Sequence, residues 1–332
     1  MKHVAVFGAG RIGRIHTSNL AKLSGVQLKY VCDPVLAVAR ELAHQHGAQV
    51  ASVEEVLADN NVDAVAICSS TDTHSDLITR AAAAGKQIFC EKPVDLSVPR
   101  AQACAEAVKA AGVACMIGFQ RRFDPTFNEA SRRLAAGDIG HAEMLIITSR
   151  DPGAPPPEYI KGSGGIFRDM LIHDLDVFRW ILCADGDEAA WLSATGSVLT
   201  DPAIAALGDY DSTAVTIRTR KGRLCQINTS RRAAYGYDQR FEILGSEGLL
   251  QCGNQRPTQV TLADARGTHV DNPEAFFLER YKDAYRLELE HFFNTLQNGG
   301  TFRTTVQDGV LAQELADAAA HSVAAGQAVV LN

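Results

Sequence analysis

The first third of the chain alternates short apolar runs with amphipathic stretches. "HVAVFGAG" predicts a strand and residues 11–24 a helix, then "VQLKYVCD" a strand and 35–47 a helix. "VDAVAICSS" predicts a strand followed by a helix over 75–84 and capped by Thr73 or Ser75; "QIFCEKP" predicts a strand followed by a helix over 97–111, and "ACMIGFQ" closes the series. These strands are apolar at nearly every position, which marks strands buried on both faces, and strands separated by helices pair in parallel. Right-handed crossovers then put helices on both sides of the sheet, with ligands bound beyond the carboxyl ends of the strands.

From about residue 122 the period changes. "RRFDPTFNEASRRLAAGDIG" predicts a helix stopped near glycine, and "HAEMLIITSRD" a strand. "PGAPPPEYIKGSGG" holds four of the eleven prolines and predicts a stiff loop. After "GGIFRDMLIHDLDVFRW" come "WLSATGSVLT", "DSTAVTIRTRKGRLCQINTSRRA", "QRFEILGSEGLLQC" and "QVTLAD". These predict an open, largely antiparallel sheet with turns at "KGR" and "GSEG". Helices are expected around 274–298 and 304–325. The fold class is therefore α/β plus α+β: a doubly wound parallel sheet, then an open sheet flanked by helices. Length agrees, since 332 residues exceed the range of roughly 250–300 where single cores stop growing. The expected domains are 1–121 and 122–332, with the terminal helix at 304–325 free to pack back on the first.

Composition mainly excludes. Net charge is −7 with no basic block, so the clustered cations that nucleic acid requires are missing. No apolar run approaches the 18 or so residues of a membrane span, and the N-terminus enters a strand directly, without a signal-peptide pattern. The eight cysteines form no CxxC pair and no zinc-spaced cluster, and several sit in apolar runs. Free thiols and a reducing cytoplasm follow, with no metal expected.

The first turn, "GAGRIG", carries Gly8, Gly10 and Gly13 between a strand and a helix. Gly8 permits the tight turn, Gly10 lets a pyrophosphate approach the backbone, and Gly13 lets helix pack on strand. The helix N-terminus, with Arg11 and Ile12 in its opening, offers N–H groups to an anion. Asp33 ends the second strand, 20 residues after Gly13. There a carboxylate accepts from ribose hydroxyls and repels a 2′-phosphate, so NAD rather than NADP is expected; a helix N-cap is compatible with this. Beyond the next strands lie "CSSTDTHSD", with Ser69, Thr71 and His74, and "EKP", with Glu91 and Lys92. His74 reads either as a group at the nicotinamide side or as part of a helix cap. Lys92 by itself reads as a surface lysine at a strand end.

"GGIFRDMLIHDLDVFRW" poses the sharper question. At about 100° per residue, Asp169 and His173 share one stripe of an otherwise apolar helix. A buried carboxylate is costly unless paired. Either Asp169 caps the helix and His173 satisfies a core hydrogen bond, or the pair lines a pocket in which His173 takes a proton and Asp169 holds its tautomer.

Taken in order, "GAGRIG", "CDP", "EKP" and "GGIFRDMLIHDLDVFRW" resemble the glucose–fructose oxidoreductase / inositol dehydrogenase / rhizopine-catabolism (Gfo/Idh/MocA) family, and the likeness runs to the terminal "DGVLAQELADAAAHS". "GFQRRFDP", "TSRDPGAPPPEYIKGSGGIFRDM" and "YGYDQRFEILGSEG" look most like its inositol 2-dehydrogenases. The resemblance implies a Rossmann domain binding NAD, a catalytic trio of Lys92, Asp169 and His173, and cofactor contacts from Ser69, Thr71, His74 and Glu91. It implies a polyol site lined by Arg122, Asp151, Tyr235 and Tyr281. It also implies a homotetramer built on the second domain's sheet, and oxidation of a cyclic polyol, myo-inositol to its 2-ketone. Some of those relatives carry His and Asn around "SRD", where this chain has Ser149 and Asp151. A pyranose dehydrogenase of the same family, or an NAD-dependent sensor without turnover, are the competing functions.

Overall fold

The first sheet takes its shape from the continuous apolar runs. In the computed structural model, which describes residues 1–331, six parallel strands lie in the order β3-β2-β1-β4-β5-β6. They are β1 (Lys2–Phe7), β2 (Val26–Cys32), β3 (Gln49–Val50), β4 (Ala64–Ile67), β5 (Gln87–Glu91) and β6 (Cys115–Gly118). This is the doubly wound order, and β4 and β6 are buried at every position, as runs covered on both faces require. The crossover helices are α1 (Arg11–Leu20), α2 (Leu36–His46), α3 (Val53–Ala58), α4 (Thr71–Ala83) and α5 (Val98–Ala111).

Two local expectations change. Helix α4 begins at Thr71 after Ser70, not near residue 75; Ser75 is buried in its second turn and donates to Asp95 at 2.5 Å. The short β3 and α3 were missed, although "SVEE" carries a capping box. Ser52 Oγ accepts from the Glu55 N–H at 3.2 Å, and Glu55 accepts from the Ser52 N–H at 2.7 Å.

The second sheet contains β7 (Ala142–Arg150), β8 (Ala189–Ser197), β9 (Ser212–Thr219), β10 (Leu224–Ser230), β11 (Asp238–Gly245) and β12 (Gly248–Cys252). A detached hairpin, β13 (Thr261–Asp264) and β14 (Gly267–Val270), precedes the closing edge strand β15 (Val329–Val330). The order is β12-β11-β7-β10-β9-β8-β15, antiparallel except between β7 and β10. Its helices are α6 (Pro125–Ala135), α7 (Pro157–Ser163), α8 (Ile172–Leu182), α9 (Pro202–Ala206) and α10 (Phe277–Arg280). The stiff loop expected at 152–165 thus contains a turn of helix, opened by prolines at its start where the missing N–H costs nothing.

One face of this sheet is covered. Leu145, Ile147, Leu192, Ile217, Ile227 and Ile243 meet Phe127 of α6 and Leu175, Phe178 and Ile181 of α8. On the other face Leu224, Met144, Leu244 and Leu249 are register partners across four neighbouring strands, and the three leucines are exposed.

The long helix expected at 274–298 is broken at Tyr281 into α10 and α11 (Lys282–Asn298), and the last helix is α12 (Val306–Ala325). The chain forms two compact units, residues 1–123 with 283–314, and residues 124–282 with 315–332. Helix α11 therefore completes the first unit: Leu289, Phe292 and Phe293 join Val4, Val6, Phe89 and Met116 in its core.

Candidate active site

The turn between β1 and α1 is built from close approaches. Gly8 sits at φ +98°, and a Cβ there would lie 2.6 Å from the backbone of Cys68 and Ser69. A Cβ on Gly13 would lie 2.0 Å from the Gly8 carbonyl oxygen, so helix and turn touch only because both are glycine. Gly10 differs: a Cβ on it would meet nothing within 4 Å. It caps α1 without any side-chain hydrogen bond, and the first turn carries no acidic residue. The helix therefore presents its N-terminal N–H groups beside open space, which is what a diphosphate requires. Arg11 is exposed and Ile12 half-buried in that opening turn.

Asp33 ties this turn to the end of β2. Its Oδ2 accepts from the Ala9 N–H at 2.8 Å and its Oδ1 from the Val35 N–H at 2.8 Å. The carboxylate is half-buried, fixed in place at the strand end where a ribose would lie. The residues present fit a dinucleotide: a cradle a side chain would fill, a bare helix N-terminus and a fixed carboxylate.

After β4, Ser69 Oγ pairs with Thr73 Oγ1 at 2.6 Å, and Thr71 opens α4. His74 is buried, with Nδ1 2.7 Å from the Pro93 carbonyl and Nε2 3.1 Å from that of Ser69, so both ring nitrogens face backbone. Burial pushes its pKa down, opposed by those carbonyls and the charge of Glu91. His74 joins the loop after β4 to the Lys92–Pro93 bond, which is cis. The Glu91 carboxylate turns inward, 2.5 Å from His16 Nε2. Lys92, the next residue, is half-buried at the carboxyl end of β5.

In the second unit the apolar stretch begins with a single π turn, Phe167–Leu171, that runs into α8. The wider turn shifts the phase that a regular wheel assigns to Asp169 relative to His173, and such turns recur at functional sites. Asp169 is not a cap. The cap-like role falls to Asp209, whose Oδ1 accepts the Ile166 N–H at 2.9 Å. Gly165, at φ +78°, permits this, since a Cβ there would lie 2.8 Å from that same oxygen. Asp169 Oδ1 accepts from Tyr159 Oη at 2.9 Å, and its Oδ2 lies 3.9 Å from the buried guanidinium of Arg231, which is also 3.4 Å from Asp209. His173 is half-buried on the first turn of α8.

Arg231 directly follows β10, beside the end of β7, where the Asp151 N–H donates to the Ser230 carbonyl at 2.9 Å. Arg150 donates to Tyr235 Oη at 3.0 Å, and Tyr235 donates to Asp238 at 2.5 Å. Burial first and Asp238 second raise the Tyr235 pKa; on Asp238, hydrogen bonds from Tyr235, Asn254 and Arg240 outweigh burial and lower it. The structure thus gathers Asp151 and Tyr235 at the sheet end that also carries Arg231, the partner of Asp169.

Two further residues expected at the polyol site are buried with partners of their own. Arg122, in the first unit, donates to the Arg303 carbonyl at 2.7 Å and to Asp308 at 3.1 Å. Tyr281 is fully buried under the Arg280 guanidinium, which lies 4.7 Å from its ring centroid. Sequence reading missed Arg231, Tyr159, His16 and Glu288. Only His16 carried a signal, as a histidine one turn beyond Gly13 on the apolar face of α1.

Comparison with known proteins agrees with both halves. The chain is 45% identical over 319 residues to an inositol 2-dehydrogenase of Rhizobium meliloti, covering 96% of each chain. It is 41% identical over 332 residues to the scyllo-inositol 2-dehydrogenase (NAD(+)) of Bacillus subtilis, covering 99% of this chain and 96% of that one. The crystal structure of a myo-inositol dehydrogenase from Corynebacterium glutamicum superposes with a TM-score of 0.95 at 43% identity, over 100% of this chain and 99% of the other. Residues 2–119 match the oxidoreductase family's NAD-binding Rossmann fold and residues 132–331 its C-terminal alpha/beta domain. The chain therefore belongs to the GFO/IDH/MocA family of NAD-dependent oxidoreductases.

Proposed function

We propose that this protein oxidises a ring secondary hydroxyl of an inositol, myo-inositol to the 2-ketone, with NAD+ as acceptor. The observation that carries this reading is Asp169 on the π turn, held beside Arg231, with His173 following on the first turn of α8, in a chain 45% identical to an inositol 2-dehydrogenase. Gly8, Gly10, Gly13 and Asp33 hold the dinucleotide, with Arg11, Ile12, Ser69 and Thr71 around it. When bound, NAD+ accepts the hydride from the carbinol carbon.

His173 takes the hydroxyl proton. Asp169 fixes its tautomer and stabilises the imidazolium, while itself held by Tyr159 and Arg231. Lys92 stabilises the developing alkoxide, an electrostatic role strongest where water is scarce. Asp151 and Tyr235 orient the polyol. The substitution of Ser149 and Asp151 for the His and Asn of some relatives acts on which isomer fits.

The apolar row of Met144, Leu224, Leu244 and Leu249 supports the further proposal of a homotetramer assembled through the open face of the second sheet. Eight unpaired cysteines fit a reducing cytoplasm, and no helix among the described residues is long and apolar enough to cross a membrane.

The test is NADH formation across inositol isomers and aldopyranoses with NAD+ and NADP+. Turnover confined to pyranoses selects the alternative substrate class, and bound cofactor without turnover on any polyol refutes catalysis. Lys92→Ala and His173→Ala should each lower kcat by about 10² to 10⁴ while NAD binding survives. Wild-type turnover in both removes the catalytic assignment.

A further inference from the structure

Three residues from distant parts of the chain meet beneath the β1–α1 turn: His16 on α1, Glu91 at the end of β5 and Glu288 on α11. His16 and Glu288 are 0% exposed and Glu91 is 8% exposed. His16 Nε2 lies 2.5 Å from Glu91 Oε1 and 4.0 Å from Glu288 Oε1. Phe89 and Tyr285 close the site with edge contacts to the imidazole, at 5.0 and 5.7 Å between ring centroids. Neither Glu288 oxygen, nor His16 Nδ1, has a hydrogen-bond partner among the described residues.

Two carboxylates in so dry a place cannot both stay charged. Two occupancies neutralise the site. One is a divalent cation on a neutral imidazole and two carboxylates. The other is protonation, which leaves Glu288 a neutral acid beside the hydrogen-bonded His16 and Glu91. Geometry decides between them. Ligand atoms at about 2.0–2.2 Å from one tetrahedral ion stand roughly 3.3–3.6 Å apart. The 2.5 Å His16–Glu91 contact is instead a direct hydrogen bond, too short to hold an ion between the two. Burial first, and the Glu91 charge second, push the Glu288 carboxyl well above the usual range, in keeping with a neutral acid.

The cluster bears on Lys92 through the chain. Glu91, anchored inward on His16, is the last residue of β5, and Lys92 follows it directly at the bend that leaves the strand. Gly118 on β6 leaves room for that anchor; a Cβ there would sit 3.2 Å from Glu91 Oε1. The other ionisable groups around the cluster are Cys68 beyond β4, Cys90 on β5, which burial keeps neutral, His74 on α4, Tyr285 on α11 and Lys92 itself. Cys68 is fully buried, its thiol pushed well up by burial and then by Glu91 and Glu288, so it stays neutral.

We propose that His16, Glu91 and Glu288 form a buried, metal-free hydrogen-bonded cluster, with Glu288 as its neutral acid, that positions Lys92 for turnover by fixing the end of β5. None of the three touches the substrate; they are positioning residues, and the proposal rests on Lys92 being catalytic.

The experiment compares Glu288→Gln, Glu91→Gln, the double variant His16→Gln/Glu91→Gln and Lys92→Ala in the full-length protein. Readouts are kcat, KM for NAD+, the pH profile of kcat, and the metal content of the purified protein. Glu288→Gln imitates the neutral acid and should keep kcat within about twofold. Glu91→Gln should lower kcat about tenfold or more and alter its pH profile, with KM for NAD+ within about twofold. The double variant, which leaves no unpaired charge should Glu91→Gln fail to fold, should show the same loss. A reduced kcat in Lys92→Ala with wild-type kcat and pH profile in a folded Glu91 variant overturns positioning alone. Wild-type turnover in Lys92→Ala overturns the catalytic reading and this role with it. Equal losses in Glu288→Gln and Glu91→Gln, or one divalent metal per chain, overturn the metal-free cluster with a neutral Glu288.

Discussion

Gly10 and Gly13 are three residues apart in one turn, yet alanine should act on them in opposite ways. At Gly10 a Cβ meets nothing within 4 Å, and the backbone, at φ −71°, is one any residue adopts. The free protein should lose only the N-cap preference for glycine over alanine, about 1 kcal/mol or less. At about 2–4 °C per kcal/mol for units of this size, that is a small fall in Tm. The empty space is where a pyrophosphate would lie, so NAD+ affinity should fall at least tenfold, about 1.4 kcal/mol. At Gly13 the Cβ would sit 2.0 Å from the Gly8 carbonyl oxygen and 2.9 Å from its carbon. Backbone cannot swing away as a side-chain end can, so α1 must lift from the turn, costing about 3 kcal/mol or more and roughly 6–12 °C of Tm. Thermal melts with and without NAD+, together with calorimetric titration, separate the two. Wild-type NAD+ affinity in Gly10→Ala would refute the reading of that space as a ligand cradle. Equal destabilisation by both variants would refute the steric account.

Asp33→Ala removes the acceptor for the Ala9 and Val35 N–H groups and the carboxylate that disfavours a 2′-phosphate; the NADP+ to NAD+ ratio of kcat/KM should rise about tenfold or more, and an unchanged ratio counts against the ribose role. Arg231→Met leaves Asp209 and Asp169 without their buried cation and should cost about 3–5 kcal/mol on denaturant unfolding, with Arg231→Lys milder; equal stability of the Met variant and wild type would show that the guanidinium is not needed there. Glu288 gives a pH signature: its folded carboxyl keeps a proton that the unfolded chain has already released. Its contribution is therefore complete below the unfolded carboxylate range and shrinks as pH rises toward the folded value, by about 1.4 kcal/mol per unit. Glu288→Gln should flatten that decline in unfolding experiments between mildly acid and neutral pH, and parallel curves for variant and wild type would contradict a neutral Glu288.

Local pattern carried the first sheet because buried parallel strands are apolar throughout and the glycines of the turn each have a steric reason. Gly8, Gly13 and Asp33 could be placed from spacing alone. The π turn could not, since widening one helical turn changes no residue type and depends on Asp209 meeting Gly165 and Ile166 from a loop more than forty residues away. The resemblance puts Arg122 and Tyr281 at the polyol site, but their partners Asp308 and Arg280 could not be read from pattern, since both contacts arise only on folding. His74 and Glu91 sat at the right strand ends, yet residue type and spacing carry no sign of which way their side chains turn. The break at Tyr281 was equally hidden, since no residue at that position is a helix breaker.

The placement of α11 sets an order on biosynthesis. Residues 1–123 leave the ribosome first, but Leu289, Phe292 and Phe293 must cover Phe89 and Met116, and Glu288 must reach His16, before that unit is complete. At about 5–20 residues per second, the intervening segment 124–282 takes roughly 10–30 s to synthesise. Throughout that interval the nascent N-terminal sheet has one apolar flank uncovered and an unfinished polar cluster beneath its dinucleotide turn. The dinucleotide unit is thus among the first parts begun and the last finished, so a chain interrupted inside the second unit leaves it with an open core.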